Sequence, residues 1–185
     1  IALSELVKNA YDADATHVVV RLEKTGIPGG TISIIDNGHG MSLEAVQNLW
    51  MRIATTSKRE KEISNIYCRP LTGAKGIGRF AARRLGGKLT LLSIANLNDG
   101  TKEKVTAIFD WKKNFSPGQD LVSVPIKYER EVIQNDIPTG VTLIIEDARD
   151  SWDEEEIVEL RRDLLSLQSP FPDLIIRSDR SIKKG

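Results

Sequence analysis

A chain of 185 residues, 40% hydrophobic and 28% charged, is long enough for one globular domain with a buried core. Its 26 basic and 26 acidic side chains cancel, so no global charge draws it to nucleic acid or to an anionic membrane. No apolar run reaches membrane-spanning length, and the single cysteine, Cys68, excludes an internal disulfide and a cysteine-cluster metal site. A reducing cytoplasm is the expected compartment. The chain opens inside a helical pattern with neither Met nor a cap residue ahead of it, which suggests an N-terminally truncated fragment of a longer protein.

The spacing predicts a first helix over Ile1 to Ala13, with Leu3, Leu6, Val7 and Ala10 on one side. Glu5, Asn9 and Asp12 fall at i, i+4 and i+7, so they share the other side. Thr16 to Glu23 and Thr31 to Asp36 are β-branched and apolar, and the turn Gly26 to Gly30 joins them as a hairpin. The second strand stops at Asp36-Asn-Gly-His-Gly-Met41, and Ser42 caps a helix carrying Ala45, Val46, Leu49 and Trp50. Ile53 to Lys75 has no sustained period, which marks a functional or disordered loop. Gly73-Ala-Lys-Gly-Ile-Gly78 closes it and opens a helix, Ile77 to Leu85, that ends at Gly86-Gly87. Lys88 to Ile94, Lys104 to Asp110, Leu121 to Lys127 and Val141 to Glu146 read as strands. A helix from about 153 to 168 follows, with Ile157, Leu160, Leu164 and Leu167 as its core stripe, then a short strand over about 174–177.

Three polar islands interrupt this pattern. On the first helix, Glu5, Asn9 and Asp12 form either a solvated face or a site supplying a base, a metal ligand and a water anchor. Asp36 ends an apolar strand, where a carboxylate needs a partner; it can only accept, so it suits a donor such as an exocyclic amine. Gly38 and Gly40 let backbone approach a ligand, although Asp-Asn-Gly is also an ordinary turn. Gly73, Gly76 and Gly78, with Lys75 and Arg79, precede a helix and so make an anion nest suited to phosphate. The spacing is neither a Walker loop nor a dinucleotide fingerprint. Mg²⁺ takes one or two protein oxygens beside phosphate oxygens, and Asn9 offers one; Glu5 one turn away could act as general base on water.

In this order the three motifs resemble the GHKL ATPase superfamily, the Bergerat fold of gyrase B, the ninety-kilodalton chaperones, MutL-type repair ATPases, MORC ATPases and sensor histidine kinases. The likeness covers nearly the whole chain and is greatest to the chaperone/MutL/MORC branch. It implies one ATP-binding domain over 1–185, an α+β two-layer sandwich with a mixed, mostly antiparallel sheet, helices on one face, and a mobile lid over about 54–76. It implies Glu5 as the base and Asn9 as the Mg²⁺ ligand, with Asp12 and Ala13 completing that motif. It implies Asp36 on the adenine amino group, with Gly38, Gly40 and Met41 lining the pocket. Thr56, Ser57 and Lys58 resemble the Thr-Ser-Lys at the start of the MutL-type lid. Gly73, Lys75, Gly76, Ile77, Gly78 and Arg79 would wrap the phosphates. The family often has Gly-Thr before the late strand; here Gly140-Val141 stands there and Thr142, the remaining candidate for the adenine contact, falls one place later, on the other side of a strand.

The resulting expectation is Mg-dependent ATP binding and hydrolysis that drives lid closure and dimerisation of a larger protein, with no membrane involvement. Glu5 favours hydrolysis, since histidine kinases typically lack this base. A kinase domain serving a separate acceptor and a non-hydrolysing nucleotide scaffold are the alternatives. The only histidines, His17 and His39, sit at a strand start and in a motif loop, outside any acceptor hairpin.

Overall fold

The computed structural model describes residues 2–50, 63–71, 78–114, 126–134, 137–166 and 173–178. Helix α1 (Ala2–Asp12) leads into β1 (His17–Glu23) and β2 (Thr31–Asp36). Then come α2 (Leu43–Ala45), α3 (Gly78–Leu85), β3 (Gly86–Asn96), β4 (Lys102–Asp110), α4 (Trp111–Asn114), β5 (Lys127–Ile133), β6 (Gly140–Ala148), α5 (Glu154–Ser166) and β7 (Asp173–Ser178). The strands form one sheet in the order β5-β4-β3-β6-β2-β1-β7. Every pairing is antiparallel except that of β7 with β1, which is parallel.

Alternation fixes which face is covered. Val18, Val20, Leu22, Ile32, Ile34, Leu89, Leu91, Val105, Phe109, Leu143 and Ile145 point to one side and are buried. Against them lie Leu3, Leu6, Val7 and Ala10 of α1, Ala81, Ala82 and Leu85 of α3, and Leu160 and Leu164 of α5. Each fully buried leucine or valine here contributes roughly 1.5–3 kcal/mol. The fold is therefore the expected two-layer α+β sandwich, with helices on one face of a mixed, mostly antiparallel sheet. Among the described residues no helix is long and apolar enough to cross a membrane.

Several local expectations are corrected. The strand expected at Leu121 to Lys127 instead begins at Lys127 and runs to Ile133, while 121–125 lie outside the described residues. Its sequence, Lys-Tyr-Glu-Arg-Glu-Val-Ile, has no apolar face, and six of its seven residues are exposed. It is a strand because the open edge of β4 pairs with it, a cause that no periodicity records. The helix after Ser42 is three residues long and widens into a π-helical turn over Val46–Trp50. Helix α3 ends at Leu85 as expected, but Gly86-Gly87 already belong to β3, which starts two residues before the expected Lys88. A Cβ on Gly86 would lie 2.5 Å from Ile145 Cγ2 and 2.6 Å from Glu146 O, so glycine is needed for that close passage.

Candidate functional site

The apolar stripe of α1 faces the sheet, which leaves Glu5, Lys8, Asn9 and Asp12 on its partly exposed side. Lys8 Nζ donates to Glu5 Oε1 at 2.7 Å. Among the described residues, Glu5 Oε2 and the Asn9 amide oxygen accept no hydrogen bond, so both can take a ligand, a metal or a water. The amide oxygen is a hard, neutral donor of the kind that fits Mg²⁺. No group of three His, Cys, Asp or Glu side chains is placed to hold a metal among the described residues.

The helix ends against the second motif. His39 N donates to Ala13 O at 3.0 Å. A Cβ on Gly38 would stand 2.6 Å from that same oxygen, so only glycine lets the Asp36 loop come this near. Gly40 has φ +70°, and a Cβ there would meet Ile94 O at 2.0 Å, which excludes a side chain twice over. Asn37 fastens the loop to β1: its Oδ1 accepts from Thr16 N at 2.9 Å and from His17 N at 2.8 Å.

Asp36 sits on the helix-facing side of β2. Its Oδ1 accepts from Gly38 N at 2.9 Å and Val141 N at 3.3 Å, and Oδ2 takes no partner among the described residues. Burial raises its pKa from 3.8 to about 6, against the opposing pull of those two N–H groups and of His39. A desolvated carboxylate with one oxygen held by the backbone and one unspent is a fixed acceptor awaiting a donor. At the helix rise of 1.5 Å per residue, Glu5 stands about 12 Å further along α1 than Ala13, so the Glu5 and Asp36 carboxylates lie near opposite ends of that helix.

The register removes Thr142 from this cluster. Ile34 pairs with Leu143 and Ile35 with Thr142, so Thr142 shares the uncovered face with Ile35, and Asp36 lies opposite Val141 on the helical side. Val141 reaches Asp36 through its backbone N–H, a contact that any residue type at that position could make. Gly78 begins α3; Thr56, Ser57, Lys58, Gly73, Lys75, Gly76 and Ile77 lie outside the described residues, as does the side chain of Arg79.

Two supporting residues escape a motif search. Ser93 Oγ accepts from Met41 N at 2.6 Å and donates to Met41 O at 2.9 Å, fixing the Gly40-Met41 corner. Glu103, only 3% exposed, accepts from Leu43 N at 2.7 Å and from Arg130 Nε, and so holds the start of α2. Their signal was in the alternation: each is a polar residue on the buried parity of its strand, among Leu89 and Leu91 or Val105 and Phe109.

A glycine-lined acceptor carboxylate at the end of a helix that carries an amide and a second carboxylate, on this two-layer sandwich, defines an ATP-binding domain. A family model described as histidine kinase-, DNA gyrase B-, and HSP90-like ATPase matches residues 1–139. The chain is 36% identical over 96 residues to the putative type II restriction enzyme HgiDII of Herpetosiphon aurantiacus, covering 52% of this chain and 14% of that protein. It is 42% identical over 65 residues to the DNA mismatch repair protein MutL of Desulforamulus reducens, covering 35% and 10%. The ATPase region of Saccharomyces cerevisiae topoisomerase II shares the fold at a TM-score of 0.65 and 13% identity, over 96% of this chain and 46% of that one. The same region bound to ICRF-187 gives 0.64 and 14%, with the same coverage. The chain belongs to the GHKL ATPase family.

Proposed function

We propose that this chain is the domain of a larger protein that binds Mg·ATP and hydrolyses it, coupling the nucleotide to lid closure and dimerisation. The observation that carries this reading is the half-satisfied Asp36 carboxylate held at the end of the helix that bears Glu5 and Asn9. Asp36 Oδ2 accepts from the adenine amino group, while Gly38, Gly40 and Met41 keep side chains out of the path of the base. Asp12 and Ala13 close the helix end beside it, and Asn9 supplies the metal ligand. Mg²⁺ would offset phosphate charge there. Glu5 Oε2 accepts a proton from the attacking water, with Oε1 kept in place by Lys8. Gly73, Lys75, Gly76, Ile77, Gly78 and Arg79 hold the phosphates, and the lid over about 54–76, with Thr56, Ser57 and Lys58 near its start, covers them.

Glu5→Ala should retain ATP binding within about twofold and lose turnover by roughly 10²–10⁴-fold, the usual worth of a positioned base. The test follows the γ-phosphate of labelled Mg·ATP in parent and variant. Equal release of free phosphate by both would remove Glu5 from the mechanism, and label retained on protein would replace hydrolysis with phosphotransfer.

A further inference from the structure

The turn that ends α1 is held from two sides. On one side it seats the Asp36 loop. Ala13 O accepts from His39 N at 3.0 Å. Further along, Thr16 N and His17 N both donate to Asn37 Oδ1, and Asn37 Nδ2 donates back to Thr16 Oγ1 at 2.8 Å. The fit is close: a Cβ on Gly38 would stand 2.6 Å from Ala13 O and 3.1 Å from Ala13 Cβ. A shift of Ala13 toward the loop presses it onto Gly38, and a shift away lengthens its bond to His39.

On the other side the same turn holds residues 63–71, a contact that the ATPase motifs do not explain. Asp14, 4% exposed, accepts from Ser64 Oγ, from Ile66 N at 2.8 Å and from Tyr67 N at 3.2 Å. Arg69, 6% exposed, donates through Nη1 to Ala15 O at 2.8 Å and to Tyr11 O at 3.3 Å. Those two carbonyls bracket Ala13 O, and a cation there also meets the negative end of the helix dipole. The guanidinium stands 5.0 Å from the ring centroid of Tyr11 and 4.7 Å from that of Tyr67.

Ending the helix does not call for this clamp. Ala15 N donates to Ala10 O and Asp14 N to Tyr11 O, the pattern of a helix closed by a left-handed residue. That residue is Asp14, at φ +61°, where glycine would be the easier choice. Apolar burial does not call for it either, since Ile63, Ile66 and Tyr67 are each at least half exposed.

Resting on the nucleotide reading above, we propose that Asp14 and Arg69 are positioning residues for the adenine acceptor: they hold the turn on either side of Ala13 O, and through that oxygen the Gly38-His39 backbone that sets Asp36. Each link is a hydrogen bond. Arg69 bonds to the turn, the turn to His39 and Asn37, and Gly38 N to Asp36 Oδ1 at 2.9 Å. Glu5 lies more than two turns back along α1, outside this path.

Asp14→Gly tests this without disturbing the helix end, because glycine is the preferred residue at that conformation. Arg69→Gln is the second variant. In both, the Kd for adenosine and the KM for Mg·ATP should rise together by about tenfold, as when the seated loop falls to about a tenth of the population. Turnover at saturating Mg·ATP should stay within about twofold, because the loss is one of binding alone. Adenosine bound as tightly as by the parent, or kcat falling while KM holds, overturns the positioning role. Hydrogen exchange on the parent needs no variant. The amides of His39, Ile66 and Tyr67 should open together, with one free energy of opening. Ile66 and Tyr67 exchanging freely while His39 stays protected cuts the link between clamp and loop. A parent that binds neither adenosine nor Mg·ATP overturns the nucleotide reading itself, a separate result, and the exchange measurement still decides whether the clamp holds the loop.

Discussion

Asp36→Asn should make the free protein more stable while destroying its affinity for adenine. Burial holds the carboxyl of Asp36 at about 6 against 3.8 in the unfolded chain. At 1.36 kcal/mol per unit, the ionised form is disfavoured by about 3 kcal/mol in the fold. Asp36 keeps some contact with solvent, which reduces that to about 1–2 kcal/mol. The raised value sets the sign: the stability linked to this group is complete below 3.8 and is lost as pH rises through about 6. An asparagine carries no charge and still accepts from Gly38 N and Val141 N through its one oxygen. It should therefore regain about 1–2 kcal/mol at pH 8, a rise in Tm of roughly 2–8 °C for a chain of this size. At pH 5 the parent is already protonated and the gain should shrink. Binding goes the other way. A carboxylate can accept on both oxygens, whereas an amide accepts on one, so two backbone donors and an adenine amino group cannot all be satisfied. One opposed pair of donors, with a charged hydrogen bond lost, should weaken adenosine by roughly 10²–10³-fold. Thermal melts at pH 8 and pH 5, beside calorimetry with adenosine, measure both halves. A variant that melts lower than the parent at pH 8, or binds adenosine as tightly, refutes the assignment of Asp36 as a desolvated acceptor.

Adenosine binding to the parent should fall as pH drops through about 6, where Asp36 takes up its proton, and the Asp36→Asn titration should be flat there. Asp14 acts with the opposite sign: burial pushes its pKa up, but the bonds from Ser64, Ile66 and Tyr67 and the charge of Arg69 outweigh it and hold it below 3.8. Its contribution to stability is therefore present above 3.8 and is lost only as pH falls below that, so the amides of Ile66 and Tyr67 should stay protected at pH 5. Ser93→Ala strands both backbone groups of Met41 and should lower stability by about 1–3 kcal/mol, seen as a drop in Tm, with weaker adenosine binding at the loosened corner.

The helix face of α1, the β1–β2 hairpin and the order of the three motifs were all legible in the chain, because a period of 3.6 or 2 and a glycine-flanked acid are local facts. The helix–sheet sandwich followed from them. The sequence was silent or misleading where a partner far along the chain decides the outcome. Lys127 to Ile133 carries no strand pattern and becomes a strand because β4 offers it an edge. Asp14 lies one residue past the first motif and carries no signal of its own, yet its carboxylate is the seat of residues 64–67, some fifty positions away. Thr142 was a candidate for the adenine contact through the family resemblance, one place late in the strand; the register of β6 on β2 puts it on the uncovered face, as that offset implied, and gives the contact with Asp36 to the backbone of Val141. Residue type and spacing by themselves determined where along the chain the carboxylates, the amide and the glycines of the candidate site lie. Which of them share one face, which oxygen of Asp36 is already spent, and what holds the end of the expected lid were decided only by tertiary structure, since strand register and long-range hydrogen bonds depend on pairings that no local window of sequence contains.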